Sequence, residues 1–388
     1  MRNAAKRSSD ARVVTCPGRA PGQVELSQMI EALMDSMPWV RDKLAASRSI
    51  LVKPNLGGGD APSMTSKEVM VAFCRYLREN YDATLTLGDS SVIGSTSERS
   101  IEALGLRGAL EPLGVRVVDL ASFPVRRVEI PSGRVLKVVS IYEPTLDTDC
   151  LVSLAKLKTN YATRTSLTIK NLKGILSGPD KIRFHRLGVA DCLADLLTVV
   201  APGLGVIDGI QGWDIDRSVD VGALVGGTDL VAVDYLGAML SQTDPAMVTY
   251  LTLALERGLG GMPGEAEQAA ARAASRPFAG PLDNAAAMVL PEGIRVVAGE
   301  ACSGCISILQ RAFRRMESEG VLRGLPPLTV AIGPGARPSR EPGRLIVAMG
   351  NCCGARDEAD RVMVGCPPQS RYEVQRVFEE LRDDKDQV

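Results

Sequence analysis

Five of the nine cysteines in this chain fall between Cys302 and Cys366. That grouping constrains the fold more than any other feature, because the thiols sit on separate short segments that must meet to act together. Cys302-Ser303-Gly304-Cys305 is a C-x-x-C pair between a strand and a helix. The glycine permits the tight turn that aims two sulfurs at one place. Gly350-Asn351-Cys352-Cys353 again follows a strand directly, and Gly365-Cys366-Pro367-Pro368 comes after it. Loops at the ends of adjacent strands can converge, as ligand-bearing loops do in an α/β sheet. Four soft thiolates suit an iron–sulfur cluster or zinc. Zinc ribbons pair two short C-x-x-C units, whereas this region has one. The spacing therefore points to a cluster held by Cys302, Cys305, Cys366 and one of Cys352 or Cys353.

The order C-x-x-C, G-x-C after a strand, then G-C-P-P resembles the proximal-cluster domain of hydrogenase small subunits and of the related quinone-oxidoreductase subunit. The match covers roughly residues 295–370. The resemblance implies a [4Fe–4S] cluster. Its G-x-C frame selects Cys352 as the fourth ligand, with Cys353 as the alternative or as a free thiol.

The other four cysteines, Cys16, Cys74, Cys150 and Cys192, are scattered singly among apolar residues and read as small buried side chains. A chain of 388 residues exceeds one ordinary core, so more than one domain is expected. With 45 Lys+Arg against 46 Asp+Glu, the near-zero net charge argues against a nucleic-acid binder but allows a local basic pocket. Aromatics at 4% are too few for a base-stacking surface. No apolar run approaches the about 20 residues of a membrane span. Met1 to Arg12 is polar and lacks the apolar core of a signal peptide. The expectation is a cytoplasmic protein with reduced thiols, and a homodimer is compatible with it.

Residues 1–22 read as a flexible N-terminus. Helical spacing runs through 25–47, with Leu26, Met29, Ile30, Leu33 and Met34 in register, and through 66–80, with Val69, Met70, Phe73, Tyr76 and Leu77. Between and after them lie strands at 49–53, 83–87 and 115–120 and a helix at 97–104. Residues 126–140 alternate as a hairpin at the sheet edge would, and 150–154 and 205–210 are further short strands. This alternation predicts an α/β domain over 23–257, a mostly parallel sheet flanked by helices. Residues 258–290, rich in Gly, Ala and Pro, read as a linker or insertion. A smaller α/β cluster-binding domain follows over 291–388, with strands at 294–297, 328–332 and 345–349 and helices at 306–319 and 372–381.

Leu51-Val52-Lys53-Pro54-Asn55, Gly88-Asp89-Ser90, Leu154-Ala155-Lys156-Leu157-Lys158-Thr159 and Ile169-Lys170-Asn171-Leu172-Lys173-Gly174, with His185 downstream, are similar to the DUF362 family over about residues 48–240. Asp208-Gly209-Ile210 and Asp229 to Asp234 continue the match. The family commonly carries iron–sulfur cysteines. The chain departs from it at Gly212-Trp213-Asp214-Ile215-Asp216, where members often have a Gly-Glu-Gly-x-Gly-Pro-like loop.

Read by themselves, Lys53, Lys156, Lys158, Lys170 and Lys173 fall at strand ends or in short polar runs, accompanied by Asn55, Asn160 and Asn171. Lysine with asparagine suits a carboxylate or phosphate. Lys53, Lys170 and His185, the only histidine, are the candidate catalytic groups, expected in one pocket facing the cluster, with His185 as general acid or base. Asn55, Asp89, Ser90, Lys156, Lys158, Asn171, Lys173 and Asp208 are the candidate substrate contacts. Asp89, Asp208, Asp229 and Asp234 read as strand-end or pre-helix residues, and Asp229 as a helix cap. Gly57-Gly58-Gly59 could cradle an anion, but neither the P-loop nor the dinucleotide G-x-G-x-x-G pattern is present. The expected function is an iron–sulfur oxidoreductase, oxygen-sensitive, acting on a small anionic substrate with electrons from a ferredoxin-like or other donor. Two other classes stay open: a cluster used as Lewis acid or sulfur carrier, and a non-enzymatic electron carrier or redox sensor.

Overall fold

A computed structural model describes residues 10–15, 22–57, 61–91, 96–160, 162–214, 217–278, 290, 292–368 and 373–383. Cys16, Gly58, Gly59, Ile215, Asp216 and Tyr372, singled out above, lie outside the described residues, as do residues 1–9 and 279–289. The chain divides into two compact units, Met1–Gly280 and Pro281–Val388.

The first unit is a mixed α/β domain. Its strands are β1 (Arg12–Thr15), β2 (Ser49–Pro54), β3 (Thr84–Asp89), β4 (Val115–Asp119), β5 (Val125–Glu129), β6 (Val138–Tyr142), β7 (Cys150–Asn160), β8 (Arg164–Thr165), β9 (Leu204–Asp214) and β10 (Arg217–Gly227). The main sheet runs β1-β10-β9-β7-β2-β3-β4, with β8 paired to β7. From β9 to β4 every neighbouring pair is parallel, while β1 and β10 add antiparallel strands at one side. Both faces are covered. Ile50 and Val52 of β2 enter one core with the helices Gln23–Asp35 and Lys67–Asn80, and Leu51 enters the other. That is the continuous apolar strand expected of a parallel sheet buried on both sides.

Several elements differ from the sequence expectation for physical reasons. The helix expected over 25–47 is two, Gln23–Asp35 and Pro38–Ala45. Pro38 cannot donate into a preceding turn, and it opens the second helix instead. The 126–140 hairpin forms its own two-stranded sheet, β5 with β6, rather than an edge of the main one. β7 and β9 are each 11 residues long, so Lys156, Lys158 and Asp208 lie inside strands and not at their ends. Lys170 and Lys173 lie on a helical turn, Thr168–Asn171 continuing into Leu172–Ile175. Asp234 lies within the helix Leu230–Leu240. Asp229 caps that helix, accepting from the backbone N–H groups of Val231 and Ala232. The segment read as a linker contains the helix Glu265–Ala274, whose Ala271 is buried against Leu157 and Ala232.

The second unit is a four-stranded parallel sheet, β11 (Ile294–Ala298), β12 (Leu328–Ile332), β13 (Leu345–Met349) and β14 (Arg361–Met363), in that order. The helices Ser303–Ser318 and Gln375–Asp383 pack on it through Leu309, Phe313, Phe378 and Leu381.

Candidate functional site

In the first unit, charged side chains gather where β2, β3 and β7 meet the helical turn at Thr168. They separate into two sets by burial and by partner.

The inner set is neutralised. Lys53 is 1% exposed. Its Nζ donates to Asn171 Oδ1 and to the carbonyl of Pro54, both at 2.8 Å. Asp89 Oδ1 stands 2.7 Å away in an ion pair, off the angle of a hydrogen bond. Burial lowers the Lys53 ammonium below its ordinary value, and Asp89 opposes the shift. Asp89 Oδ2 accepts from the Leu56 N–H at 2.8 Å. Gly174 closes over the pair: a Cβ there would lie 2.2 Å from Asp89 Oδ1 and 2.5 Å from Lys53 Cε. Next to it, strand register sets Lys156 opposite Asp208. Their ion pair is 3.0 Å long and buried, and Ser66 joins it through its N–H and hydroxyl to Asp208 Oδ2.

The outer set is half-buried and cationic. Lys158, Lys170, Lys173 and His185 are each partly open to solvent. Lys158 Nζ donates to Asn55 Oδ1 at 2.8 Å and to the Ser63 carbonyl at 3.0 Å. Lys170 Nζ donates to Asn160 Oδ1. Lys173 Nζ is 2.6 Å from His185 Nε2. Burial, then the charges of Lys173 and Lys158, push the Lys170 ammonium well below its ordinary value. Burial, then Lys173 and Lys170, depress the His185 imidazole to about 3, so the ring is neutral at physiological pH. An ammonium only donates, so Nε2 accepts from Lys173 and the ring proton sits on Nδ1.

Asn171 links the sets. Its Oδ1 accepts from Lys53, and its Nδ2 donates to the Lys53 carbonyl and to Ser153 Oγ. Asn55 Nδ2 reaches the same Oδ1 at 3.5 Å. The turn carrying Lys170 and Asn171 is fixed from below by Asp234, which accepts from the N–H groups of Thr168 and Ile169 and from Tyr250 Oη. Burial is the foremost cause that raises Asp234 to about 7, against those hydrogen bonds. Ser90 donates to the Gly174 carbonyl at 2.6 Å.

Lys181 was not among the residues picked from sequence. It is buried, and its Nζ donates to the carbonyls of Ser90 and Ser91 and to Ser90 Oγ. Burial, with Lys53 adding to it, lowers this lysine to about 8 against the pull of Asp89 and Asp119. Its signal was present: Lys181 and His185 are four apart on one helix and so share a face.

In the second unit, the cysteine loops leave the C-terminal ends of β11, β13 and β14, which are parallel strands of one sheet, so all three emerge at the same edge. Cys302 stands immediately before the helix Ser303–Ser318, with extended backbone and no capping bond from its side chain. The other two loops are stitched together: the Asn351 N–H donates to the Gly365 carbonyl at 2.8 Å, and Gly365 N–H returns to Asn351 Oδ1 at 2.9 Å. Gly350, at φ 96°, brings the backbone close enough that a Cβ would lie 3.1 Å from Cys305 Sγ. The Cys305 thiol is pushed up first by its hydrogen bond with Cys302, then by burial, then by the charges of Cys302, Cys352 and Cys366. Among the described residues no three ligating side chains stand close enough for a single metal ion. Cys353 does not join this set. It is 5% exposed, donates to the Ala331 carbonyl at 3.2 Å and packs with Ala336, Ala348 and Ala355, whereas Cys352 is exposed.

Residues 50–239 match the model of the family described as "Domain of unknown function (DUF362)". The thylakoid-associated protein sll1697 of Synechocystis sp. is 27% identical over 232 residues, covering 56% of this chain and 70% of that protein. A solved structure, the lactate racemase apoprotein from Thermoanaerobacterium thermosaccharolyticum, aligns with a TM-score of 0.37 at 13% identity, over 81% of this chain and 63% of that one. This chain thus spans less than two thirds of that structure's length. Among the described residues no helix is long and apolar enough to cross a membrane.

Proposed function

We propose that this chain, whose residues 50–239 are a DUF362 domain, is an iron–sulfur oxidoreductase that takes a small anionic substrate in its first unit. Cys302, Cys305, Cys352 and Cys366 would hold a [4Fe–4S] cluster in the second. The carrying observation is that three loops from parallel strand ends bring Cys302, Cys352 and Cys366 within electrostatic reach of Cys305. When bound, such a cluster supplies one-electron transfer, here from a ferredoxin-like donor. The chain's own residues do the rest. Lys158, Lys170 and Lys173 would bind and orient the anion. His185 would hold or move the proton on Nδ1, and the Lys53–Asp89 and Lys156–Asp208 pairs would keep the floor of the site rigid. Thiol ligands of this kind belong in a reducing compartment such as the cytoplasm.

The second reading, a cluster used as Lewis acid or sulfur carrier, draws on one of Cys352 and Cys353 being a mobile thiol; Cys353 is buried and donates to the Ala331 carbonyl, so exposed Cys352 is the thiol it would use. The test is anaerobic purification followed by iron and sulfide assay and by electron paramagnetic resonance before and after dithionite. About four iron and four sulfide per chain, with a signal on reduction, is the expected result, lost in Cys302→Ala and Cys366→Ala. Stoichiometric zinc without iron would overturn the proposal.

A further inference from the structure

Ser90 Oγ and Lys181 Nζ stand 2.6 Å apart, outside the set of cations assigned to the anion. We propose that they are a nucleophile and its base, a second catalytic centre that takes the acyl group of a small ester or thioester onto Ser90 Oγ. The pair depends neither on the cluster nor on the outer lysines.

Both residues are placed by contacts far along the chain. Ser90 is the first residue after β3, at the C-terminal end of a parallel strand, where open α/β sheets offer reactive groups to a ligand. Its N–H and its hydroxyl both reach the Gly174 carbonyl, at 3.2 and 2.6 Å. Lys181 comes from the helix Gly178–Leu187. Besides Ser90 Oγ, its Nζ meets the carbonyls of Ser90 at 2.9 Å and of Ser91 at 2.7 Å. Ser90 is 3% exposed and Lys181 5%, so the pair is shielded from bulk water.

The kind of partner decides what a buried amine can do. Lys53 Nζ faces Asn171 Oδ1, the Pro54 carbonyl and Asp89, each of which only accepts. Lys181 Nζ faces two carbonyls and a hydroxyl, and a hydroxyl both accepts and donates. As an ammonium, Lys181 donates to all three, and Ser90 Oγ sends its own proton to the Gly174 carbonyl. As an amine, it has two N–H groups for the two carbonyls and a lone pair for the Ser90 proton. The Gly174 carbonyl then keeps the Ser90 N–H. Both forms fit the same heavy-atom positions, so a proton crosses between oxygen and nitrogen without stranding a buried donor or acceptor. Burial is the largest influence on this lysine, and it favours the neutral amine. The Tyr142 phenol, raised by burial and lowered by its contact with the Ser90 side chain, adds a second hydroxyl beside the reacting oxygen.

The step balances within the pair. Lys181 takes the Ser90 proton as Oγ bonds to the acyl carbon. The bond from that carbon to the leaving oxygen or sulfur breaks, and Lys181 passes the proton to the departing alcohol or thiol. Water then attacks the acyl-serine and gives one proton to Lys181, which returns it to Ser90 Oγ as the carboxylic acid leaves.

The test is labelling of the full chain with phenylmethylsulfonyl fluoride at pH 8, read by peptide mass mapping. Ser90 Oγ displaces fluoride from sulfur, and its proton departs as hydrogen fluoride. The expected result is a sulfonyl group on Ser90, absent in Ser90→Ala. p-Nitrophenyl acetate should release nitrophenol through the same oxygen, and prior labelling should stop that release. Lys181→Arg keeps a cation that donates to the carbonyls but holds its proton, and it should slow labelling about hundredfold or more. A lysine that only ties the loop to the helix would leave Lys181→Arg labelled as fast as the parent, and that result overturns the proposal. So does an unlabelled Ser90 in the unaltered chain, which needs no variant to fold. Nitrophenol release that is absent, or undiminished after full labelling, overturns it as well.

Discussion

Lys53 donates to the side chain of Asn171, the residue that follows Lys170 on its helical turn, yet the two lysines are in opposite electrostatic situations. Lys53 is sealed, with Asp89 2.7 Å from its ammonium and Gly174 pressed over both. Lys170 is half-open and surrounded by charges of its own sign. A buried charge with a partner is part of the architecture, and removing one member exposes the cost of the other. A half-buried charge held against its own kind contributes little to stability, and its use lies in what it attracts. The cysteines repeat the contrast in the second unit: Cys353 is packed, while Cys352 beside it is exposed toward the edge where the other thiols emerge.

The sharpest way to break the lysine comparison is to delete one ammonium from each set. Lys53→Met leaves Asp89 buried without its cation and should cost about 3–5 kcal/mol in urea unfolding. Lys170→Met should fall within about 0.5 kcal/mol of the parent or above it, because it removes repulsion and only one bond to Asn160. Adding Asp89→Asn to Lys53→Met should recover part of the loss. If both single variants unfold alike, the division into inner and outer sets is wrong.

A second, smaller effect concerns pH. His185 is held at about 3 in the folded chain by burial and by Lys173 and Lys170, against about 6.5 when unfolded. The unfolded chain therefore binds a proton first as pH falls. The contribution of His185 is present in full above about pH 6.5 and is lost as pH drops toward 3. His185→Gln should flatten that segment of the stability profile while leaving stability at pH 8 nearly unchanged. A profile with the same slope in both proteins would show that His185 does not feel the outer lysines. Saturating phosphate should flatten it as well, since an anion there would ease protonation of the ring.

Much of the first unit was readable because its strands are apolar runs bounded by glycine and proline. Ser49–Pro54 and Thr84–Asp89 stand within a residue or two of where the pattern puts them. β7 was read as half its length because Lys156 and Lys158 look like a loop. Only the register with Asp208 shows that the first of them can continue a strand inside the protein. For the same reason Lys181 was not singled out, since its backbone acceptors at Ser90 and Ser91 come from a loop 90 residues away in sequence. Residue type was legible throughout, whereas partner and depth depend on contacts far along the chain. The break at Pro38 was visible in the sequence and was overrun by the apolar spacing on either side.

The smallest expected effect tests the cysteine half of the comparison. In a strand-end loop, successive side chains diverge, so Cys352 and Cys353 should not serve one purpose. The Cys353 thiol fills a space among four alanines and donates one weak hydrogen bond to the Ala331 carbonyl. Cys353→Ala removes one buried sulfur and that bond, and should cost about 1 kcal/mol. It should leave iron and sulfide per chain as in the parent. Cys352→Ser changes an exposed side chain, so the metal-free protein should keep its stability within about 0.5 kcal/mol. Reconstituted anaerobically, it should nonetheless lose the cluster or hold it with altered resonance. The two measurements thus move in opposite directions for neighbouring residues, stability without iron for one and iron without stability for the other. Loss of iron in Cys353→Ala with retention in Cys352→Ser would exchange the two roles, and it would require the loop after β13 to turn its buried thiol outward on binding.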